Sequence, residues 1–248
     1  ATIYYYVESL AGKTGVYTHD GKQFDLYKKV KYTRNGYLTY AEEFHDITGF
    51  TQWWSDPKFS SFDQNGSTST IKTENYLCYT RKSYNLKFYN YNADVAGKGG
   101  SVQYEAPLKD YNFVPAYPTG LEANAYEFAG WYTSPGCYDG SEVNWDTMTM
   151  PASDVTLYAK WAPKTHKVTT WLTNEMKTPV NVGDSNEQTV AHGSTATAPA
   201  APENGNYPFV GWFYQENGVE KAFDFSMPVN KDLDLYAKWS SNKIVPYV

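Results

Sequence analysis

Four histidines, two cysteines and a scatter of carboxylates are the side chains in this 248-residue sequence that could carry chemistry. His19, His45, His166 and His192 form no HExxH and no i, i+4 pair, the spacing at which two imidazoles on one helix face close on a zinc ion. Solvated loop or strand positions are expected for all four. Cys78 and Cys137 make no CxxC and are too few for a disulfide framework. A bridge between them would need Cα atoms within about 7 Å. It would also cross a boundary between repeats, so it is disfavoured, though sequence alone leaves open whether both thiols are free.

The nucleophile motifs fail as well. There is no GxSxG, and neither cysteine sits in a local nucleophile signature. The stretch "VAGKGGS", residues 95 to 101, has the glycines and lysine of a phosphate-binding loop but not their GxxxxGK[ST] order, and no helical pattern follows it. It is read as a hairpin loop. The stretch "DQNGSTS", residues 63 to 69, begins like a calcium loop but lacks the bidentate Glu at the required distance, so a turn is expected. No catalytic residue, metal ligand or cofactor is assigned, and the chain is expected not to be an enzyme.

What the sequence does contain is repetition. "YEFAGWYTSP", residues 126 to 135, is nearly rewritten as "YPFVGWFYQE" from Tyr207, so Phe128, Gly130 and Trp131 are answered by Phe209, Gly211 and Trp212. A blurred copy, "TGFTQWWSDP", keeps Phe50, Trp53 and Trp54 but has Gln52 in place of the glycine. A second landmark, "DVTLYAKW" ending at Trp161, recurs as "DLDLYAKW" ending at Trp239, and faintly as "NYLCYTRK" from Asn75. The opening strands "TIYYYVE", "NLKFYNY" and "HKVTTWL" complete the period, about 80 residues. The predicted organisation is three tandem modules, 1–82, 83–163 and 164–240, with 241–248 as a stub or linker. The joints "RKS" and "APKT" are short, and Pro163 fixes its own φ, so a semi-rigid, elongated rod is expected.

Alternation argues for strands. Leu157, Ala159 and Trp161 fall on one face of a strand, and Tyr158 and Lys160 on the other; Leu86 and Phe88 oppose Lys87 and Tyr89 in the same way. Asp20-Gly21 and Asn35-Gly36 are hairpin-turn dipeptides. Thr39 with Glu42 forms a capping box and Gly49 a stop, which predicts one short helix. Each small module needs large side chains to fill its core, so Phe128, Trp131, Trp161, Phe209, Trp212 and Trp239 are assigned inward. Gly130 and Gly211 would allow the bend that turns each indole in, and Tyr132 should face out.

Composition bounds the rest. An aromatic content of 18% suits pleated, half-buried sheets, so the chain is read as mainly β with minor α. A net charge of -6 offers no basic stripe for a phosphate backbone, so no nucleic-acid partner is expected. No apolar run of 18 or more residues predicts a membrane span in this fragment, which reads as a piece of a longer protein and as a monomer.

The paired signatures "YEFAGWY…DVTLYAKW" and "YPFVGWF…DLDLYAKW" resemble the internalin-type B repeat, also called the Listeria-Bacteroides repeat, over roughly residues 84–239. The first module departs at Gln52 and at Lys82, which stands where the others have Trp. The resemblance implies β-grasp-like modules, a curved sheet with at most a short helix. It also implies a secreted or wall-attached protein of a bacterium, usually Gram-positive, and it supplies no catalytic residues. If the opening and closing strands of each module lie side by side, their outward residues share one face. That face would carry Lys87, Tyr89, Tyr158 and Lys160 in the second module, Lys167, Trp171, Tyr236 and Lys238 in the third, and Tyr4, Tyr6 and Tyr79 in the first. Cross-strand pairing would stabilise such a face, and an exposed aromatic strip could also bind a host-surface protein or a glycan. Two functions follow: a stalk or adhesin segment of a surface protein, or a carbohydrate-binding accessory region of a secreted glycan-degrading enzyme.

Overall fold

A computed structural model describes residues 2–31, 45–55 and 74–242. The described residues form three five-stranded sheets, and their only helical element is a single 3-10 turn at Lys109–Tyr111. The predicted helix over 39–49 and the Asn35-Gly36 turn fall largely or wholly outside the described residues; residues 48 and 49 form a turn. The "DQNGSTS" turn also lies outside them.

The first sheet contains β1 (Thr2–Glu8), β2 (Tyr17–His19), β3 (Lys22–Lys31), β4 (Phe50–Ser55) and β5 (Glu74–Arg81), ordered β2-β3-β1-β5-β4. Asp20 (φ 48) and Gly21 (φ 76) make the two-residue turn between β2 and β3, the left-handed pair that an Asp-Gly hairpin demands. The second sheet contains β6 (Ser83–Asn90), β7 (Ala93–Asp94), β8 (Gly100–Gln103), β9 (Tyr126–Tyr132) and β10 (Val155–Pro163). Its order is β7-β6-β10-β9, with β8 also paired to β6, so "VAGKGGS" closes the β7–β8 connection. The third sheet contains β11 (Thr165–Trp171), β12 (Glu187–Ala191), β13 (Phe209–Glu216), β14 (Val219–Phe223) and β15 (Leu233–Trp239), ordered β12-β11-β15-β13-β14. In all three sheets the opening strand runs parallel to the closing strand at the centre.

By contacts the chain divides into two compact units. One comprises residues 1–117 and 130–160, and the other residues 118–129 and 161–248. In the first unit Ile3, Tyr5, Val7, Phe50, Leu77 and Tyr79 form one core. Beneath the second sheet Phe88 meets Trp131 edge-on at 4.8 Å, and the Trp131 indole N–H donates to Phe113 O at 2.8 Å. An indole buried to 2% exposure thus keeps its polar handle satisfied. In the second unit Val168, Val190, Trp212, Leu233, Leu235 and Ala237 form the core, with Phe209 and Trp239 partly buried at its edge. Phe128 lies 5.8 Å from Trp161, and both are half-buried.

Gly130 takes φ 115, and a Cβ added there would meet nothing nearer than the Tyr132 ring at 3.9 Å, so conformation alone demands glycine. Gly211 (φ 153) follows a bulge at Val210, where β13 slips against β15. This bulge explains why the first repeat differs. With Gln52 in place of glycine, the slip falls instead at Trp53, between Gln52 and Trp54. Gln52 therefore stands opposite Tyr79, the place that Trp212 takes opposite Ala237, and Trp53 falls in the bulge. Trp53 is consequently 36% exposed and stacks on Phe24, while Trp54 packs with the cluster of Tyr6, Phe24 and Cys78 on the opposite face of the sheet from Tyr5 and Leu77.

Candidate functional site

Pairing of the first and last strands places the candidate aromatic residues. In the second sheet Tyr158 sits opposite Tyr89 in register, with ring centroids 5.9 Å apart and both rings half-buried. Next to them Lys160 lies 4.7 Å above the Tyr132 ring. Tyr132 faces out, as expected, but is not open to solvent: Lys160 helps to cover it, and it is only 6% exposed. A hydrogen bond to Tyr132 raises the pKa of Lys160. The Cys137 thiol lies 3.9 Å from Tyr158 O, and burial pushes its pKa up. Cys78 is also a free thiol; its burial raises the pKa to about 12, so it carries little thiolate near neutrality.

The third sheet repeats the device with different residues. Trp171 stands opposite Tyr236 in register, and its indole N–H donates to Asp234 Oδ1 at 3.1 Å. Lys238 lies 4.9 Å above Phe213, the counterpart of Lys160 over Tyr132. Tyr236 is 2% exposed, so it is not an open contact surface: its hydroxyl donates to Glu220 Oε2 at 2.7 Å and accepts from Gln215 Nε2 at 2.9 Å. Burial, then the Glu220 bond, raises the Tyr236 pKa. Hydrogen bonds from Lys238 and then Tyr236 lower that of Glu220. Beside this network a cleft of about 350 Å³ is lined by Thr173, Asn174, Asn204 and Tyr207 together with Tyr236 and Trp239. Glu220 and Lys238 also line it, so the partly buried rings of Tyr207 and Trp239 stand among amides, a hydroxyl and a charged pair.

The first repeat is rearranged. Tyr4 and Tyr6 lie on one face, with Tyr4 5.3 Å from Tyr76 and Tyr6 4.7 Å from Tyr17. Tyr79 is corrected to the opposite, core face, where it is 2% exposed and its hydroxyl accepts from His45 N at 3.3 Å. The registers explain the error. Cys78 pairs with Tyr6 as Tyr158 pairs with Tyr89, so the sequence match of "NYLCYTRK" is one residue out.

His45 is exposed, as expected, but the other three histidines need correction. His19 stacks on Trp54 at 3.8 Å, and His166 and His192 are not solvated but nearly buried, with side-chain exposures of 15% and 10%. His166 Nε2 lies 2.9 Å from His192 Nδ1. Local spacing carries no signal for this pair, because the two residues are 26 apart and meet only through the β11–β12 hairpin.

Three sheets built around one parallel strand pair, two of them carrying the same Lys-over-aromatic arrangement, define a tandem all-β repeat protein. The chain belongs to the Listeria-Bacteroides repeat family, whose model matches residues 84–160 and 179–238. It is 31% identical over 152 residues to Internalin H of Listeria monocytogenes, covering 60% of this chain and 24% of that protein. Two Evansella cellulosilytica proteins, provisionally described as membrane proteins, are also similar. One is 32% identical across 68% of this chain, and the other, described as Gly-rich, is 30% identical across 80%. The chain spans between a fifth and a quarter of the length of these relatives. Among the described residues no helix is long and apolar enough to cross a membrane.

Proposed function

We propose that the chain is a non-enzymatic segment of an extracellular bacterial surface or wall protein. Three β-grasp-like modules, bounded near residues 82 and 163, serve as a stalk and contribute to binding a host-surface glycan. Family membership and the likeness to an internalin support the surface-repeat reading. The observation that carries the binding reading is the third-repeat cleft, where Tyr207 and Trp239 stand beside Asn174 and Asn204. Aromatic faces can stack on the apolar faces of sugar rings while amides bond to hydroxyls. Of the residues assigned to the aromatic strip, Trp171 is the half-buried neighbour of this cleft's Tyr236, whereas Tyr89 and Tyr158 form a separate pair in the second repeat.

The test is a glycan and mucin array probed with the intact chain and with an Asn174→Ala, Asn204→Ala double variant. Both positions are exposed, so the thermal transition should be unchanged. Specific binding by the parent that is lost in the variant supports recognition at the cleft. Binding that persists in the variant refutes this site, and no binding by either protein leaves the modules as a spacer.

A further inference from the structure

The two joints between repeats are built on one hydrogen-bond plan. At the first, Lys82 N donates to Gly49 O at 2.8 Å and Tyr104 N donates to Lys82 O at 2.8 Å. At the second, Lys164 N donates to Ala125 O at 2.9 Å and His192 N donates to Lys164 O at 2.7 Å. Each connecting lysine thus ties a loop of the preceding repeat to a turn of the following one through its backbone. The side chains differ. At the first joint Tyr104 meets Phe50 edge-on at 5.6 Å, and Arg81 donates to Tyr104 O at 2.8 Å and pairs with Glu105 at 2.6 Å. At the second, the position of Tyr104 is taken by His192 and that of Tyr84 by His166, as the matching pairs Tyr84↔Val102 and His166↔Val190 show.

These two rings form the middle of a row of four titratable groups. His166 Nδ1 lies 3.6 Å from Asp232 Oδ1, His166 Nε2 lies 2.9 Å from His192 Nδ1, and His192 Nε2 lies 3.3 Å from Glu122 Oε2. The last contact is within ion-pair reach but lacks hydrogen-bond alignment, and Nε2 is fully buried. Asp232 also accepts from Lys167 N at 2.9 Å, while the Lys167 ammonium is turned to Glu187 at 3.0 Å. Asp232 comes from the segment before β15, Glu122 from the 118–129 segment, and both histidines from the β11–β12 hairpin.

Proton counting separates the states. The central contact needs one proton between the rings, and each outer nitrogen needs one to face its carboxylate favourably. That is three protons on four ring nitrogens, a pair carrying one positive charge. With two protons the pair is neutral, and one outer nitrogen presents a lone pair to a carboxylate. With four, two N–H groups confront each other across 2.9 Å.

We propose that Asp232, His166, His192 and Glu122 form a proton-operated clasp, which holds the 118–129 segment on the third repeat most tightly when the two rings share a single positive charge. Loss or gain of a proton loosens the segment. The first joint, with tyrosines at both corresponding positions, has no such dependence.

The experiment uses the intact chain. Imidazole ¹⁵N spectra recorded from about pH 4.5 to 8.5, the range in which histidine changes charge, count the ring protons. Hydrogen exchange, corrected for its intrinsic pH dependence, reads protection at the amides of Lys164 and His192. Protection should peak where three ring nitrogens carry protons and fall roughly two- to fivefold on either side, the range of a partly exposed ion pair. Glu122→Gln, at a side chain 67% exposed, should flatten the peak without threatening folding. A His166→Tyr, His192→Tyr variant should give the flat profile of Lys82 and Tyr104 at the first joint. Protection that ignores ring protonation overturns the clasp, as does a peak unchanged in Glu122→Gln or a pair that never holds three protons.

Discussion

At the scale of single residues, similar letters have different consequences. Trp131 and Trp53 occupy matching places in their repeats, yet one is 2% and the other 36% exposed. Trp131→Ala should cost about 3–5 kcal/mol in denaturant unfolding, because it removes a buried indole together with its bond to Phe113 O and leaves a cavity. Trp53→Ala should cost about 1 kcal/mol or less, the usual range for a surface contact. Equal losses at both sites would refute the account of the shifted bulge. Gly130→Ala is a cleaner measurement. No atom lies within ordinary contact of the added methyl except the Tyr132 ring at 3.9 Å, so a loss of about 1–2 kcal/mol would report the φ of 115° alone. In the Phe-x-Gly-Trp motif the left-handed glycine is a local constraint that sequence can carry, whereas Phe128 and Phe209, assigned inward, are half-buried. The His166–His192 pair was not legible, because its members meet through cross-strand register and its carboxylates come from two further segments.

At the scale of elements, alternation placed Leu86, Phe88, Leu157 and Ala159 on one face correctly, and all four are buried. It failed at Tyr79, where a faint match one residue out of register moved the side chain to the wrong face. Tyr132 and Tyr236 do occupy the outer face, but Lys160, Glu220 and Gln215 from neighbouring strands cover them. Period 2 reports which face a residue occupies, not whether a neighbouring strand roofs it. The β13–β14 hairpin offers a test of such surface charge. Glu216 pairs with both Lys221 and Lys231, and hydrogen bonds from those lysines lower its pKa from 4.5 to about 2. A carboxyl depressed in the folded state contributes stability that is present above its unfolded pKa and lost as pH falls toward the folded value. Amide exchange in the hairpin should therefore accelerate, beyond its intrinsic chemistry, between about pH 4.5 and 2, the window set by those values. Glu216→Gln should abolish that acceleration, and added salt should weaken it, because the group is exposed. A wild-type-like acid profile in Glu216→Gln would assign the effect to another group.

At the scale of the whole molecule, the connections between repeats are structured elements rather than tethers. The plan that ties Lys82 to Gly49 and Tyr104, and Lys164 to Ala125 and His192, runs through backbone groups and leaves no side-chain pattern to read. Gly49 is the exception, since its identity follows from that plan. Its φ is +80, and a Cβ there would lie 2.1 Å from the Tyr104 ring. The second joint tolerates Ala125 at the corresponding place, and its left-handed residue is Asn124 (φ 62), one position earlier. Gly49→Ala should therefore carry two costs, backbone strain and a steric clash, together about 2–4 kcal/mol. It should also lower the exchange protection of the Lys82 and Tyr104 amides while leaving the Leu235 amide, in the core of the second unit, unchanged. Tyr104→Ala in the same background separates the two costs. It removes the clashing ring, so part of the protection at Lys82 should return, and the deficit that remains measures the left-handed backbone. If the second substitution instead deepens the loss, the Tyr104 ring holds the joint through Phe50 more strongly than it obstructs the methyl group, and the steric share of the Gly49→Ala cost is small.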